Sequence, residues 1–173
     1  MTNGRRDRGG THARANPPDG LLAGRTTSSL EGVTTLDFLV GTWSVERWID
    51  DALSGEVGTF RGTATFVNAG DDDPRVLFDE AGVVRFGQYS GRARRRLVYS
   101  PGRGSLIEVS FVDGHHFIEL DLREGSSTDH HQCASDGYDV TTTVLDRDRI
   151  EEQWRVRGPA KDYVAVTQMT RVT

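Results

Sequence analysis

The run Ser105-Leu106-Ile107-Glu108-Val109-Ser110-Phe111-Val112-Asp113-Gly114-His115-His116-Phe117-Ile118-Glu119-Leu120-Asp121-Leu122 carries the pattern that governs the architecture. Apolar residues recur at every second position on both sides of Asp113-Gly114, a dipeptide that tolerates the positive backbone angles of a tight hairpin turn. The stretch predicts two antiparallel strands, 105–112 and 115–122. The same grammar repeats outward. Ser100-Pro101-Gly102, Ser135-Asp136-Gly137, Gly158-Pro159, Asp71-Asp72-Asp73-Pro74, and Asp50-Asp51 with Ser54-Gly55 punctuate further short runs. These runs are 42–49, 58–67, 75–80, 83–88, 95–100, 128–134, 138–145, 150–157 and 163–172, and merging is expected to leave eight or nine strands in all. Leu36–Phe38 reads as a short helical turn with Asp37 near its start. No segment sustains a 3.6-residue apolar period, and no internal repeat is present, so the fold class is an all-β sandwich or barrel.

Composition sets the frame. A chain of 173 residues suits one core once its polar start is set aside. Residues 1–33 combine Arg, Gly, Thr, Asn and Pro17-Pro18 with few apolar residues, and are expected to form a disordered tail ahead of a barrel domain at 34–173. The formal charge is −5. Five arginines against Asp7 and Asp19 in residues 1–30 leave about −8 on the remainder. An acidic body argues against nucleic acid as the main partner. Cys133 has no second cysteine to pair with. Arg5-Arg6 is followed by polar residues where an export signal needs an apolar core, and no run reaches membrane-span length. A cytoplasmic protein without a membrane association, monomeric or homodimeric, is the expectation.

Because successive strand residues face opposite ways, the alternation assigns an inner set. It comprises Trp43, Val45, Arg47, Ile49; Phe60, Ala64, Phe66; Val76, Phe78, Glu80; Leu97, Tyr99; Ile107, Val109, Phe111; His116, Ile118, Leu120, Leu122; Tyr138, Val140, Thr142, Val144; and Trp154, Val156. Its polar members are informative. Desolvating a charge costs several kcal/mol, so Arg47, Glu80 and His116 must pair or meet a ligand. Arg47 and Glu80 are expected to form an inward ion pair, with Trp43 at one barrel end against the last strand.

The opening Gly41-Thr42-Trp43 resembles the Gly-x-Trp start of the calycin superfamily. Asp113-Gly114 with Phe117 and Leu120-Asp121-Leu122 follows. Then come His131-x-Cys133-x-x-Asp136-x-Tyr138 and Trp154-x-Val156-x-Gly158-Pro159-x-Lys161-Asp162-Tyr163. Over roughly 36–173 the chain resembles an uncharacterised actinobacterial family of small calycin-like, that is lipocalin-like, domains. The resemblance implies a single antiparallel up-and-down barrel with a central cavity for a small, mostly apolar molecule, and supplies no reaction.

Several constellations have competing readings. His115-His116 and His130-His131 with Cys133 suggest a metal site, but adjacent strand residues diverge and the spacing fits no zinc motif, so neither metal nor other cofactor is expected. Haem coordination by one histidine is compatible with a calycin, with no residue marked as ligand. His131 and Cys133 share a face, yet a lone Cys more commonly serves as a small hydrophobe. Arg92, Arg94, Arg95 and Arg96 read as a solvated strand edge. Lys161, the one lysine beside twenty arginines, is read as a turn residue pairing with Asp162 or a neighbour rather than as a Schiff-base amine. The functional expectation is a cavity binding a small apolar metabolite through Arg47, Glu80, Tyr99, His116, His131, Tyr138 and Trp154. The alternative is a cyclase, isomerase or hydrolase of specialised metabolism using His131 or Glu80 as its acid or base. A barrel with a filled interior is the third reading.

Overall fold

The computed structural model describes residues 27–30 and 32–173. Helix α1 (Thr35–Leu39) precedes ten strands: β1 (Gly41–Asp51), β2 (Val57–Gly70), β3 (Asp73–Phe86), β4 (Tyr89–Pro101), β5 (Ile107–Phe111), β6 (His116–Leu120), β7 (Ser126–Cys133), β8 (Asp136–Asp146), β9 (Arg149–Gly158) and β10 (Lys161–Arg171). Their order is β6-β5-β4-β3-β2-β1-β10-β9-β8-β7, all neighbours antiparallel. The chain thus meanders in both directions from the β1–β10 pair and makes a nearly closed barrel. The expected runs 75–80 and 83–88 are one strand, β3, because Gly82 continues the ladder instead of turning it.

The remaining gap lies between β6 and β7. It is bridged by side chains: Asp129 Oδ2 accepts from the Glu119 amide at 2.6 Å, and Ser127 Oγ accepts from the Asp121 amide at 3.1 Å. These acceptors satisfy edge donors that would otherwise stand open to another strand.

One barrel end is filled. Thr34 caps α1, its Oγ1 accepting from the Asp37 amide at 3.1 Å and donating to Asp37 Oδ2 at 2.7 Å. The helix sets Phe38 and Leu39 over fully buried Trp43, whose indole Nε1 donates to Leu39 O at 2.9 Å. Trp43 pairs with Arg171 across β1 and β10, as the alternation anticipated. The Arg171 guanidinium lies 4.1 Å over the Trp43 ring and donates to Val40 O at 3.0 Å and Phe38 O at 2.6 Å. Below, Phe66, Phe78 and Tyr99 pack with ring centroids 4.8 to 6.0 Å apart.

Of the stretch expected to be a tail, residues 1–26 and 31 lie outside the described residues. Residues 27–30 run along the barrel, where Ser28 N donates to Val144 O at 3.0 Å and Leu30 N to Arg123 O at 3.1 Å.

His116 does not face inward. Val109 pairs with Ile118 but the adjacent Ser110 pairs with His116, so Phe117 is the extra residue of a bulge. The bulge breaks the period of two, turns both Phe117 and Ile118 inward, and leaves His116 exposed beside Glu108, 3.6 Å away.

Gly62 and Gly82 face each other across β2 and β3, where the strands approach so closely that a Cβ on Gly62 would lie 2.2 Å from Ala81 O, and one on Gly82 2.3 Å from Arg61 O. No L side chain fits there without moving backbone. Gly62→Ala is expected to destabilise the fold by about 1–3 kcal/mol in urea unfolding; a stability equal to the parent would show that the strands can part at no cost.

Candidate functional site

The hairpins opposite α1 leave the barrel open, and two cavities lie beneath them. The larger, ≈ 430 Å³, is walled by Ile49, Phe60, Val84, Phe86, Tyr163 and Ala165. The smaller, ≈ 240 Å³, is lined by Leu97, Phe111, Phe117, His131, Cys133 and Tyr138. Arg95 and Trp154 border both. Two larger clefts, ≈ 690 and ≈ 540 Å³, border the segment 28–38 at the α1 end. Neither is lined by a buried carboxylate.

The floor of the larger cavity is charged. Arg47 Nη2 and Nη1 donate to Glu80 Oε2 and Oε1 at 2.7 and 3.2 Å, while Arg47 Nε donates to Thr167 Oγ1 at 2.7 Å. The expected inward pair is therefore present, in the bidentate geometry that suits guanidinium to carboxylate. The Phe60 ring lies 5.1 Å from the Arg47 guanidinium.

Arg95 occupies the partition between the cavities. Its guanidinium lies 5.3 Å from the Phe78 ring and 5.1 Å from the Trp154 ring. It stands 3.5 Å from Glu80 Oε1 and 3.6 Å from Glu152 Oε1. Glu152 Oε1 also accepts from Trp154 Nε1 at 2.5 Å, which fixes the indole. Desolvation opposes the Arg95 charge, but Glu152, Glu80 and Tyr99 together hold its pKa above the ordinary value. Tyr99 is pushed up, first by burial and then by the Glu152 charge.

The seven residues expected to touch a ligand thus separate. Arg47 and Glu80 reach the larger cavity, His131 and Tyr138 the smaller, and Trp154 both. Tyr99 is embedded in the core against Phe66 and Phe78 and lines neither, and His116 is on the outside. The Tyr138 hydroxyl accepts from Lys161 Nζ at 2.6 Å, and Lys161 pairs with Asp136 at 2.7 Å; Asp162 pairs instead with Arg155. Asp136 foremost, then Tyr138, raises the Lys161 pKa above its usual value, which keeps that amine protonated. His131 is held among rings, 5.2 Å from Phe117 and 6.0 Å from Tyr138.

Arg95, Glu152 and Thr167 are the inner polar residues that sequence reasoning missed. A signal existed for two of them: Arg95 has the parity of Leu97 and Tyr99, and Glu152 that of Trp154 and Val156. The arginine run lies where β4 pairs with β3 but extends beyond β5, and Arg92, Arg94 and Arg96 are exposed there as on a solvated edge; Arg94 turns outward onto Asp79, and Arg95 alone turns inward. His115 and His130 are exposed beside Asp113 and Asp139. Among the described residues no group of three or more His, Cys, Asp or Glu is arranged to hold a metal ion. No helix among them is long and apolar enough to cross a membrane.

The fold and site define a ten-stranded barrel with a charged floor beneath an apolar, open-ended cavity. Its residues 39–171 match the model of DUF6314, a family of unknown function, and the chain belongs to that family. No curated protein matches it in sequence. Among solved structures it is similar to an S-type phycobiliprotein lyase from Guillardia theta, with 10% identity and a TM-score of 0.58 over 80% of this chain and 90% of that one. It is also similar to a redesigned β-barrel, mFAP0, bound to DFHBI, with 10% identity and a TM-score of 0.43 over 78% and 99% of the two chains.

Glu80 is 3% exposed and Arg47 16%, so removing one partner strands a charge. Arg47→Met is expected to cost about 3 kcal/mol or more, and Arg47→Met with Glu80→Gln to recover much of that loss. Equal destabilisation of the single and double variants in chemical unfolding would rule out a coupled pair.

Proposed function

We propose that this protein is a calycin-like binding barrel whose larger cavity holds a small, largely apolar metabolite. One observation carries the reading: a ≈ 430 Å³ space walled by Ile49, Phe60, Val84, Phe86, Tyr163 and Ala165 ends on the buried Arg47–Glu80 pair. Apolar walls with a few convergent polar groups are the common composition of small-molecule sites, the walls giving affinity and the polar groups orientation. A filled interior is disfavoured by that space. The likeness to the phycobiliprotein lyase concerns the barrel alone and contributes no ligand.

Binding is favoured over catalysis at the larger cavity because Glu80, the acid–base candidate there, has both oxygens accepting from Arg47, whereas His131 borders the smaller cavity. A cytoplasmic location accords with Cys133, which is a free, exposed thiol.

Native mass spectrometry of protein purified from its host is expected to show one retained small molecule per chain. Ala93→Phe should abolish it, since Ala93 lines the cavity and the added ring would occupy space the ligand needs. Protein that carries no adduct, or whose adduct survives Ala93→Phe, would count against the larger cavity as the binding site.

A further inference from the structure

The binding reading leaves the chemistry of the ligand open, and the partition between the cavities narrows it. The four charges of the cavity floor, Arg47, Glu80, Arg95 and Glu152, are unequally satisfied. Arg47 spends its donors on Glu80 and Thr167 within hydrogen-bond distance. Arg95 has two longer carboxylate contacts, from Nε to Glu80 Oε1 and from Nη2 to Glu152 Oε1, and the buried Nε falls short of a hydrogen bond. Arg95 is nevertheless a quarter exposed, at 26%, and it borders both cavities. It is therefore the inner cation with donor capacity to spare, placed where a bound molecule would reach it.

Charge balance decides which acceptor suits that capacity. Arg47 and Arg95 are matched by Glu80 and Glu152, so the floor is neutral. At the rim Arg94 is paired with Asp79 outside the barrel. A ligand carboxylate would have to shed its water, share Arg95 with two existing carboxylates, and leave one buried negative charge in excess. A carbonyl oxygen meets the same donors and adds no charge. Trp154, held by Glu152, presents its ring to both cavities, a surface for stacking a flat apolar body.

We propose that Arg95 is the anchor that determines specificity, and that the ligand is a flat, apolar, uncharged molecule carrying a carbonyl oxygen that accepts from the Arg95 guanidinium. This rests on the binding reading above.

Three probes with one bicyclic body separate the possibilities: acetylnaphthalene, ethylnaphthalene and naphthoate substituted at the same ring position, their affinities measured by ligand-observed NMR. On the unaltered protein acetylnaphthalene is expected to bind about tenfold tighter than either of the others, the value of one hydrogen bond to a charged donor. In Arg95→Met with Glu152→Gln, which keeps the floor neutral and lets Gln accept from Trp154, acetylnaphthalene should fall to the level of ethylnaphthalene while ethylnaphthalene keeps its affinity. Arg95→Lys, which retains the charge but not the fork of donors, should lose part of the preference. If ethylnaphthalene binds the unaltered protein as well as acetylnaphthalene does, the cavity binds and the carbonyl inference alone is wrong. Tighter binding of naphthoate overturns it in favour of an anion. Binding of none of the three removes the binding reading and this inference with it.

Discussion

The structure depends on placing two arginines and two glutamates inside a β-barrel without leaving any charge uncompensated. A lone ion in so dry a place would cost several kcal/mol, a large share of a domain's total stability. Arg47 and Glu80 meet that constraint as a bidentate pair between β1 and β3, strands separated only by β2. Arg95 and Glu152 meet it less completely, across the barrel from β4 to β9 at 3.6 Å. The second pair links opposite walls, and so closes the interior where the aromatic core ends.

From that constraint the division of the barrel follows. On the α1 side Trp43, Phe66, Phe78 and Val109 fill the space with apolar volume, and Arg171 ties the helix backbone to the last strand. On the other side the same strands carry small side chains, Ala93 and Ala165, at lining positions, so the walls recede and a cavity remains above the charged floor. Packing and site are two outcomes of one distribution of side-chain volume.

Most of this was legible in the sequence because a strand's period of two converts residue type into facing. Trp43, Val45 and Arg47 declared the inner face of β1, and Glu80 was the carboxylate of matching parity on β3. Where the period is interrupted, residue type no longer fixes facing. At Phe117 the bulge inserts a residue and reverses the parity of what precedes it, so His116 left the interior, and no feature of Asp113-Gly114-His115-His116 announces that shift. Arg95 was hidden differently: its parity was available, but four arginines in five residues read as surface, and composition outweighed position. The distances among Glu80, Arg95 and Glu152 were beyond reach, since cross-barrel neighbours follow from closure and not from any one strand.

The β6–β7 seam shows how that closure is achieved. Every other junction is a backbone ladder, but at this one β6 has five residues and β7 is polar along its length. Its acceptors come from the β7 side chains Asp129 and Ser127. Polar residues that would weaken a core strand here stand in for missing ladder partners, which explains why Ser127 and Asp129 can occupy the interior parity of β7 without a charged partner opposite. Just beyond the seam Phe117 on β6 meets His131 on β7 ring to ring at 5.2 Å. The smaller cavity is therefore walled where the barrel has its weakest backbone pairing, whereas the larger one lies within the continuous ladder from β4 through β1 to β9. A site that must hold charges at fixed distances is better built on that continuous side.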